Sequence, residues 1–256
     1  MKFDMHCHTK EGSMDSKVAI EDYIEKLKEQ GFGGMLVTDH NSYKGYRNFK
    51  RTREGIKHRD FVVLKGIEYD TIDAGHILIV MPENIRLRVL ELRGLPIRLL
   101  IDIVHKNGGI LGPAHPCGER YLSIIKTKRK KSKSELMRKF DFVETFNACE
   151  DEKSNMAAAN LAKRYEKPGF GGSDAHKTDC VGTAYTELPD SIKKETDLIE
   201  YVKSGAEIKC GGVLYEGTTK DRIGKLNRVL VESFFVYNKM AGLFRFRKRK
   251  VELKKI

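Results

Sequence analysis

The chain places most of its histidines, together with several acids, directly beside short apolar segments. Two pairs, His6/His8 and Asp174/His176, are each separated by one residue. On an extended strand this spacing puts both side chains on the same face. Two imidazoles on one face, joined by carboxylates from neighbouring strands, form a donor set that suits zinc, iron or manganese. The spacing therefore predicts a metal site.

Joint occurrence supports this prediction, because a single histidine after a strand is usually an ordinary polar residue. Glu68 suits a bridging position, since each of its two carboxylate oxygens can bind a different ion. His58 and His105 lie in helical or loop surroundings and are not candidates. The candidates lie at or just beyond predicted strand ends, and they are His6, His8, His40, His76, His115 and His176 with Asp15, Glu68 and Asp174.

The segments that must position these residues alternate between short apolar runs and amphipathic ones over the first two-thirds of the chain. This alternation is typical of βα units around a mainly parallel sheet. Ligands gather at the C-terminal ends of the strands in such sheets, so the candidates would meet at one rim. Strands are predicted at 3–5, 35–37, 61–64, 77–80, 110–111, 142–146 and 169–172. Helices are predicted at 18–30, 97–107 and 154–166, the last with Ser154 as its N-cap.

The pattern changes after about residue 187. A helix at 191–203, a short strand at 206–209 and a long amphipathic helix at 220–240 are predicted there. We therefore expect a metal-binding core over residues 1–187 and a C-terminal α-rich extension over residues 188–256 that completes or caps this core.

Basic residues outnumber acidic ones, and the formal net charge of the 256-residue chain is +12. The excess is concentrated in two runs, residues 126–133 and 245–250. Such runs suit phosphate-rich partners, either nucleic acid or an anionic surface, and the alternative is that they are simply solvated.

Other features of the composition exclude several protein classes. No stretch approaches the roughly 20 apolar residues that cross a bilayer, and nothing resembles a signal peptide. We therefore expect a cytoplasmic location without membrane contact. The five cysteines are scattered and form no Cys-x-x-Cys pair, which argues against a disulfide framework and against a thiolate zinc site.

The candidate residues belong to an ordered series of short motifs. The series is Asp4-x-His6-x-His8-Thr9, Thr38-Asp39-His40, Gly66-Ile67-Glu68, His76, Ala114-His115-Pro116 and Gly172-Ser173-Asp174-Ala175-His176. Over residues 1–187 this series resembles the PHP family, named for polymerase and histidinol phosphatase. The resemblance implies an α/β fold, namely a distorted, TIM-like (β/α)7 barrel with its metals at the C-terminal rim.

The resemblance also implies which residues bind metal. Carried over residue by residue, it implies three ion sites that share donors: His6, His8, Glu68 and Asp174 for the first, Glu68, His76 and His115 for the second, and Asp15, His40 and His176 for the third. One departure concerns the third site. Family members usually have Ser-Asp-Gly soon after His-Thr, whereas Asp15 comes later here and Glu11 is an alternative ligand.

The activity implied by the resemblance is hydrolysis of a phosphomonoester or phosphodiester by a metal-activated hydroxide. Two to three divalent ions (zinc, manganese or iron) would serve as cofactors, the third completing a trinuclear centre. Asp15 or a metal-bound water would protonate the leaving group. Arg120, beyond His115, is a candidate phosphate clamp, because a planar guanidinium binds phosphate through two hydrogen bonds. Lys44 is a weaker candidate clamp, and Asp39 a candidate partner for a ligand imidazole.

Several functions remain open at this point. The basic runs favour a nucleotide or a single-stranded nucleic-acid end as substrate over a small metabolite of the histidinol-phosphate kind. A nucleic-acid-binding or accessory module with structural metals is a different class of function. Hydrolysis of a C–N bond is a further alternative, as in metal-dependent amidohydrolases, which commonly add a carbamylated lysine; Lys65 is the nearest candidate, and Glu68 suits the bridging role better.

Overall fold

A computed structural model describes residues 1–52, 54–118, 123–126, 133–216 and 244–255, together with residues 233, 236 and 240. The candidate clamp Arg120, most of the basic run at 126–133 and most of the predicted helix at 220–240 lie outside these described residues.

Strands of the described residues form two sheets. They are β1 (Lys2–Cys7), β2 (Phe32–Val37), β3 (Val62–Asp70), β4 (His76–Val80), β5 (Ile110–Pro113), β6 (Val143–Asn147), β7 (Gly169–Gly172), β8 (Ala184–Glu187) and β9 (Lys209–Gly212). The large sheet has the order β5-β4-β3-β2-β1-β8-β9, and β6 pairs with β7 in a second sheet.

Helices cover the sheets on the outside. They are α1 (Ile20–Glu29), α2 (Lys44–Arg51), α3 (Glu54–Lys57), α4 (Ile97–Lys106), α5 (Lys133–Lys139), α6 (Glu152–Arg164), α7 (Glu195–Lys203) and α8 (Phe246–Leu253). Among the described residues, no helix combines the length and the apolar character needed to span a membrane.

The small sheet packs against β5 on one side and against β1, β8 and β9 on the other. The backbone N–H of Asp174, just after β7, donates to the carbonyl oxygen of His6 in β1 at 2.9 Å. Below this contact, the rings of Phe142 and Phe170 stack with their centroids 4.2 Å apart and are fully buried. The curled arrangement confirms the predicted α/β class and is consistent with the distorted TIM-like barrel.

Strand direction differs from the prediction. Strands β1, β2 and β3 are parallel, but the β3–β4, β4–β5, β1–β8 and β8–β9 pairs are antiparallel. The expectation of a mainly parallel sheet is therefore wrong. For β4 the cause is local: residues 71–75 alone connect β3 to β4, whereas a parallel crossover needs about a dozen residues or more. Strand β4 consequently begins at the rim where β3 ends, and Asp70 pairs with His76.

Most predicted helices begin and end within a few residues of the observed ones, with one correction at α6. Its N-cap is Asp151, whose Oδ1 accepts a hydrogen bond from the backbone N–H of Ser154 at 2.6 Å. The prediction of Ser154 as the cap is wrong, because Ser154 lies in the first turn, where its N–H requires an acceptor.

Residues beyond 187 contribute to the same sheet as the residues before them. The predicted strand at 206–209 is displaced, and β9 (Lys209–Gly212) pairs antiparallel with β8. Helix α7 buries Leu198, Ile199 and Val202 in the same apolar cluster as β1 residues. The division of the chain at residue 187 stays a prediction.

The close approach of β7 to β1 yields a testable prediction. A Cβ atom at Gly172 would lie 2.6 Å from the backbone nitrogen of His6. We expect Gly172→Ala to lower the free energy of unfolding by about 1–3 kcal/mol, because overpacking forces the backbone to shift. Gly211→Ala is the matched control, since its nearest neighbour, the Tyr185 hydroxyl oxygen, is 3.5 Å away. Urea unfolding of both variants measures the difference, and equal stabilities would contradict the packing described here.

Candidate metal centre

The structure brings all nine predicted ligands to one rim. His6 and His8 come from the end of β1, and Glu68 lies in β3. His76 opens β4 at this same rim because that strand runs antiparallel to β3. The remaining candidates lie on the connections that follow strands, and they are Asp15, His40, His115, Asp174 and His176.

The first set of donors has the spacing expected around one ion. His6 Nε2 lies 3.1 Å from His8 Nε2, 3.4 Å from Glu68 Oε2 and 3.6 Å from Asp174 Oδ1. His8 Nε2 lies 3.3 Å from Glu68 Oε2 and 3.2 Å from Asp174 Oδ1. Four donors placed about 2.1 Å from an ion in a tetrahedron are about 3.4 Å apart. The four side chains therefore suit one tetrahedral ion.

A second set of donors surrounds the other oxygen of Glu68. Its Oε1 atom lies 2.8 Å from His76 Nδ1 and 3.1 Å from His115 Nε2. The two oxygens of one buried carboxylate thus face two different groups of imidazoles. This is the arrangement that a bridging ligand requires.

A third set forms on the exposed side of the rim. Asp15 Oδ2 lies 3.5 Å from His40 Nε2 and 3.4 Å from His176 Nε2. The alternative acid, Glu11, is turned towards α1, where its Oε2 accepts a hydrogen bond from the backbone N–H of Ile20 at 3.2 Å. The geometry favours Asp15 over Glu11 as the ligand of the third site.

The donor set fits divalent ions on a second criterion, the satisfaction of buried polar atoms. Among the described residues, buried atoms without a hydrogen-bond partner include Glu68 Oε2 and Nδ1 of His40, His76 and His115. Leaving a buried polar atom unpaired costs about 1–3 kcal/mol. Cations bound between Glu68 and its neighbouring imidazoles would satisfy Glu68 Oε2 and His76 Nδ1 at once.

Electrostatics in the cluster favour protonated histidines when no metal is bound. Burial opposes the protonation of His40, but Glu68, Asp70 and Asp15 outweigh it and raise the pKa to about 10. Burial likewise opposes protonation of His6, and the charges of Glu144, Asp174 and Glu68 raise its pKa well above the usual range. Burial alone would raise the pKa of Glu68, yet the surrounding imidazoles lower it well below its ordinary value. Ions entering this cluster must therefore displace protons.

Glu144 is a functional candidate that the sequence reasoning missed. Its Oε1 atom lies 2.8 Å from His6 Nδ1, the ring nitrogen that faces away from the other ligands. Its Oε2 atom accepts hydrogen bonds from the backbone N–H of His115 at 2.5 Å and from Asn147 Nδ2 at 3.3 Å. Carboxylates in this position fix the orientation of a metal-binding imidazole. The available signal was an acid inside an otherwise apolar strand.

Ser13 connects two other parts of the site. Its Oγ atom donates to Asp39 Oδ1 at 3.1 Å, lies 3.2 Å from His8 Nδ1 and accepts from the backbone N–H of His40 at 3.0 Å. The carboxylate of Asp39 also accepts from the backbone N–H of Thr9 at 2.7 Å. Asp39, the candidate partner for a ligand imidazole, therefore reaches His8 through Ser13.

Asp70 and Arg93 form a further pair at the rim that the sequence did not reveal. Asp70 Oδ1 lies 3.2 Å from His76 Nε2 and 3.6 Å from His40 Nδ1, and Asp70 Oδ2 lies 3.1 Å from Arg93 Nη2. Burial opposes ionisation of Asp70, but His40, His76 and Arg93 lower its pKa to about 2. Lys44, the weaker candidate clamp, lies exposed at the start of α2.

The Glu144 contact can be tested by an isosteric substitution. We expect Glu144→Gln to weaken metal binding by about 10–100-fold, because an amide can accept at only one of the two positions that the carboxylate occupies. Glu187→Gln, at an exposed position in β8, is the control and should bind metal as the wild type does. Metal titration after chelation measures both affinities. Unchanged affinity in Glu144→Gln would rule out the orienting role.

The raised pKa of His40 predicts how the metal-free protein responds to pH. Its protonation stabilises the fold fully below the ordinary pKa of about 6.5, and this contribution is lost as the pH rises towards about 10. Urea unfolding in chelator should therefore show stability falling over this range, and less steeply in His40→Asn. Added manganese or zinc should reverse the trend in the wild type, since the ions replace the protons. Identical slopes in the wild type and the variant would contradict this account.

Comparison with known proteins identifies a family whose sequence models match this chain. The model of the PHP domain family matches residues 4–166, and the PHP-associated model matches residues 152–207. The PolC-type DNA polymerase III of Lacticaseibacillus paracasei is 30% identical over 76 residues, which are 29% of this chain and 5% of the polymerase. The chain therefore spans a small fraction of the length of that curated relative.

Two solved structures share the fold at low sequence identity. A Bifidobacterium adolescentis protein, provisionally named a metal-dependent phosphoesterase, has a TM-score of 0.58 at 14% identity, with 80% of this chain and 96% of that chain covered. The lesion-specific endonuclease Q of Pyrococcus furiosus has a TM-score of 0.58 at 16% identity, with 82% of this chain and 57% of that chain covered. The ordered motifs, the curled α/β fold and the match over residues 4–166 agree that this chain belongs to the PHP domain family.

Proposed function

We propose that the chain is a metal-dependent phosphoesterase that hydrolyses a phosphomonoester or phosphodiester, with a nucleotide or nucleic-acid end as the favoured substrate. The observation that carries the proposal is the position of Glu68, whose two oxygens face separate groups of imidazoles. Paired ions about 3.5–4 Å apart recur in phosphatases and nucleases. The endonuclease among the structural neighbours supports a nucleic acid as the class of substrate.

The residues divide into two roles in this proposal. Divalent ions, when bound, supply Lewis-acid activation of water and neutralise negative charge on the phosphoryl oxygens. The three donor sets described above would hold them. Glu144 would hold the imidazole of His6 in orientation through its 2.8 Å contact, and Asp70 Oδ1 lies 3.2 Å from His76 Nε2. Fixed donors of this kind keep the ions in place during turnover.

Asp15 fits ion binding better than proton donation. Burial opposes its ionisation, but the hydrogen bond and charge of His176 and the charge of His40 lower its pKa far below the ordinary value. A carboxyl group that stays ionised at neutral pH is a poor general acid. We therefore assign Asp15 to the third ion site and not to protonation of the leaving group.

Exposure of the donors favours catalytic metals over structural ones. His6 and His8 are fully buried, whereas the side chains of His40, His176 and Asp15 are 20%, 31% and 42% exposed. The centre is thus closed on one side and open to solvent on the other. Structural zinc sites are usually closed on all sides, and catalytic sites keep a position for water or substrate.

The C–N hydrolase alternative is weakened by the position of Lys65. Its ammonium group donates hydrogen bonds to the carbonyl oxygens of Pro82 and Glu83 at 2.9 Å and of Ile85 at 3.0 Å. A lysine held by three carbonyls is turned away from the rim and cannot bridge two ions there. Glu68 would bridge the ions instead, since its two oxygens face separate groups of imidazoles. The small-metabolite phosphatase remains the second candidate, and the choice of substrate below distinguishes it.

Substitution of two ligands tests the proposed activity. We expect His8→Ala and Asp174→Ala each to lose bound metal and to lower turnover of an aryl phosphate at least about 100-fold, since each removes a donor from the shared cluster. His105→Ala is the matched control, because His105 is 38% exposed and pairs with Asp141 away from the rim.

Elemental analysis and steady-state kinetics with manganese or zinc measure both effects, using an aryl phosphate, a 5′-phosphorylated oligonucleotide and histidinol phosphate. Preference for histidinol phosphate would select the small-metabolite alternative. Wild-type protein that binds metal but hydrolyses none of the three substrates would contradict the proposal.

A further inference from the structure

Helix α8 (Phe246–Leu253) carries most of the second basic run of the chain and packs against the segment around residue 93. Four basic residues in or just before the helix are exposed to solvent. They are Arg245, Arg247, Lys248 and Lys250. Arg249 alone within the run is buried, with 8% of its surface exposed. The helix therefore has one anchored basic side chain and a surplus of exposed positive charge.

The anchor connects α8 to the loop that precedes α4. Arg249 Nη1 donates a hydrogen bond to the carbonyl oxygen of Arg93. The guanidinium fills the space beside Gly94, where a Cβ atom would lie 2.5 Å from Arg249 Nη1. Leu253, one turn further along α8, packs against the apolar cluster that contains Ile67 and Ile77 of β3 and β4. These contacts fix α8 against the segment around residue 93.

The same segment leads directly into the metal centre. Arg93 Nη2 lies 3.1 Å from Asp70 Oδ2, and Asp70 Oδ1 lies 3.2 Å from the candidate ligand His76. His76 is therefore connected to α8 through three contacts: His76 with Asp70, Asp70 with the Arg93 side chain, and the Arg93 carbonyl oxygen with Arg249. A continuous chain of contacts therefore connects the anchored side of α8 to the metal centre.

We propose that the exposed basic face of α8 binds the sugar-phosphate backbone of a single-stranded nucleic acid whose terminal or internal phosphoester lies in the metal centre. This inference rests on the proposed phosphoesterase function and specifies its substrate class. The +12 net charge of the chain supports a polyanionic substrate.

The mixture of aromatic and basic side chains in α8 and the two residues before it favours single strands as the ligand. Phe244 and Phe246 are 81% and 54% exposed, and Lys250 Nζ lies 5.6 Å from the centroid of the Phe246 ring. Proteins that bind single strands combine basic grooves with aromatic side chains on which bases stack. The exposed rings of Phe244 and Phe246 can stack with bases, and the neighbouring lysines and arginines can bind phosphates.

An anionic membrane suits this helix less well. Membrane-surface helices separate apolar and charged residues onto two faces. Around α8 the two kinds alternate, because Lys248 lies between Phe244 and Val251 at helical spacing on one face. The helix lacks the continuous apolar face that insertion between lipid headgroups requires.

The experiment uses the metal-loaded full chain with Arg245→Gln, Arg247→Gln and Lys248→Gln combined. The control variant combines Lys139→Gln, Lys163→Gln and Arg164→Gln, exposed positions at the C-terminal ends of α5 and α6, which face the edge opposite the rim. Fluorescence anisotropy with a 5′-phosphorylated single strand of about 12 nucleotides gives the Kd at several salt concentrations. Turnover of an aryl phosphate is measured in parallel.

We expect the α8 variant to raise the Kd for the oligonucleotide about ten-fold at moderate salt and to reduce the slope of log Kd against log salt by about 2, since each single-strand phosphate contact contributes about 0.7. Aryl phosphate turnover should stay unchanged in both variants, because Arg245, Arg247 and Lys248 do not contact the candidate metal ligands. The control variant should bind the oligonucleotide as the wild type does.

Equal Kd values and salt slopes in the α8 variant and the wild type would overturn the inference. So would loss of binding to vesicles containing phosphatidylserine without any change in oligonucleotide binding, which would assign α8 to a membrane surface. Failure of the proposed function is a separate outcome: wild-type protein that binds the oligonucleotide through α8 but hydrolyses no phosphoester would keep the surface and reject the activity.

Discussion

The carboxylate of Glu68 is buried with 1% exposure and lies within 3.4 Å of five imidazoles, those of His6, His8, His40, His76 and His115. A buried charge is stable only when its surroundings compensate it. In the absence of metal, protons on the histidines provide that compensation, and divalent ions provide it when bound. The imidazoles that compensate Glu68 come from separate parts of the chain. The strands that carry them must therefore converge at the rim.

The fold meets the requirement through a few short connections. The tight link between β3 and β4 pairs His76 with Asp70, which lies two residues after Glu68 in β3. Gly172 lets β7 approach β1 closely enough for Asp174 to reach the imidazoles of His6 and His8. Glu144 then fixes His6 from the side away from the ligands. Compact packing and metal binding therefore depend on the same contacts.

The sequence was sufficient to predict the α/β class and the candidate ligands, because residue type and spacing are local properties that mark strand ends. It was insufficient for strand direction, which for β4 depends on the short loop at 71–75. It also missed Glu144, Asp70 and Arg93, whose partners lie far away in the chain or depend on how strands pair. Asp151 displaced Ser154 as the cap of α6 because both are good N-cap residues and the helix begins before Ser154.

Anomalous diffraction from crystals of the protein grown with manganese or zinc would test the role of Glu68 most directly. The account predicts two ions about 3.5–4 Å apart, each bound by one oxygen of Glu68, with His6, His8 and Asp174 around one ion and His76 and His115 around the other. A single ion, or ions bound at the rim without contact to Glu68, would contradict the central claim that this carboxylate bridges the metal centre.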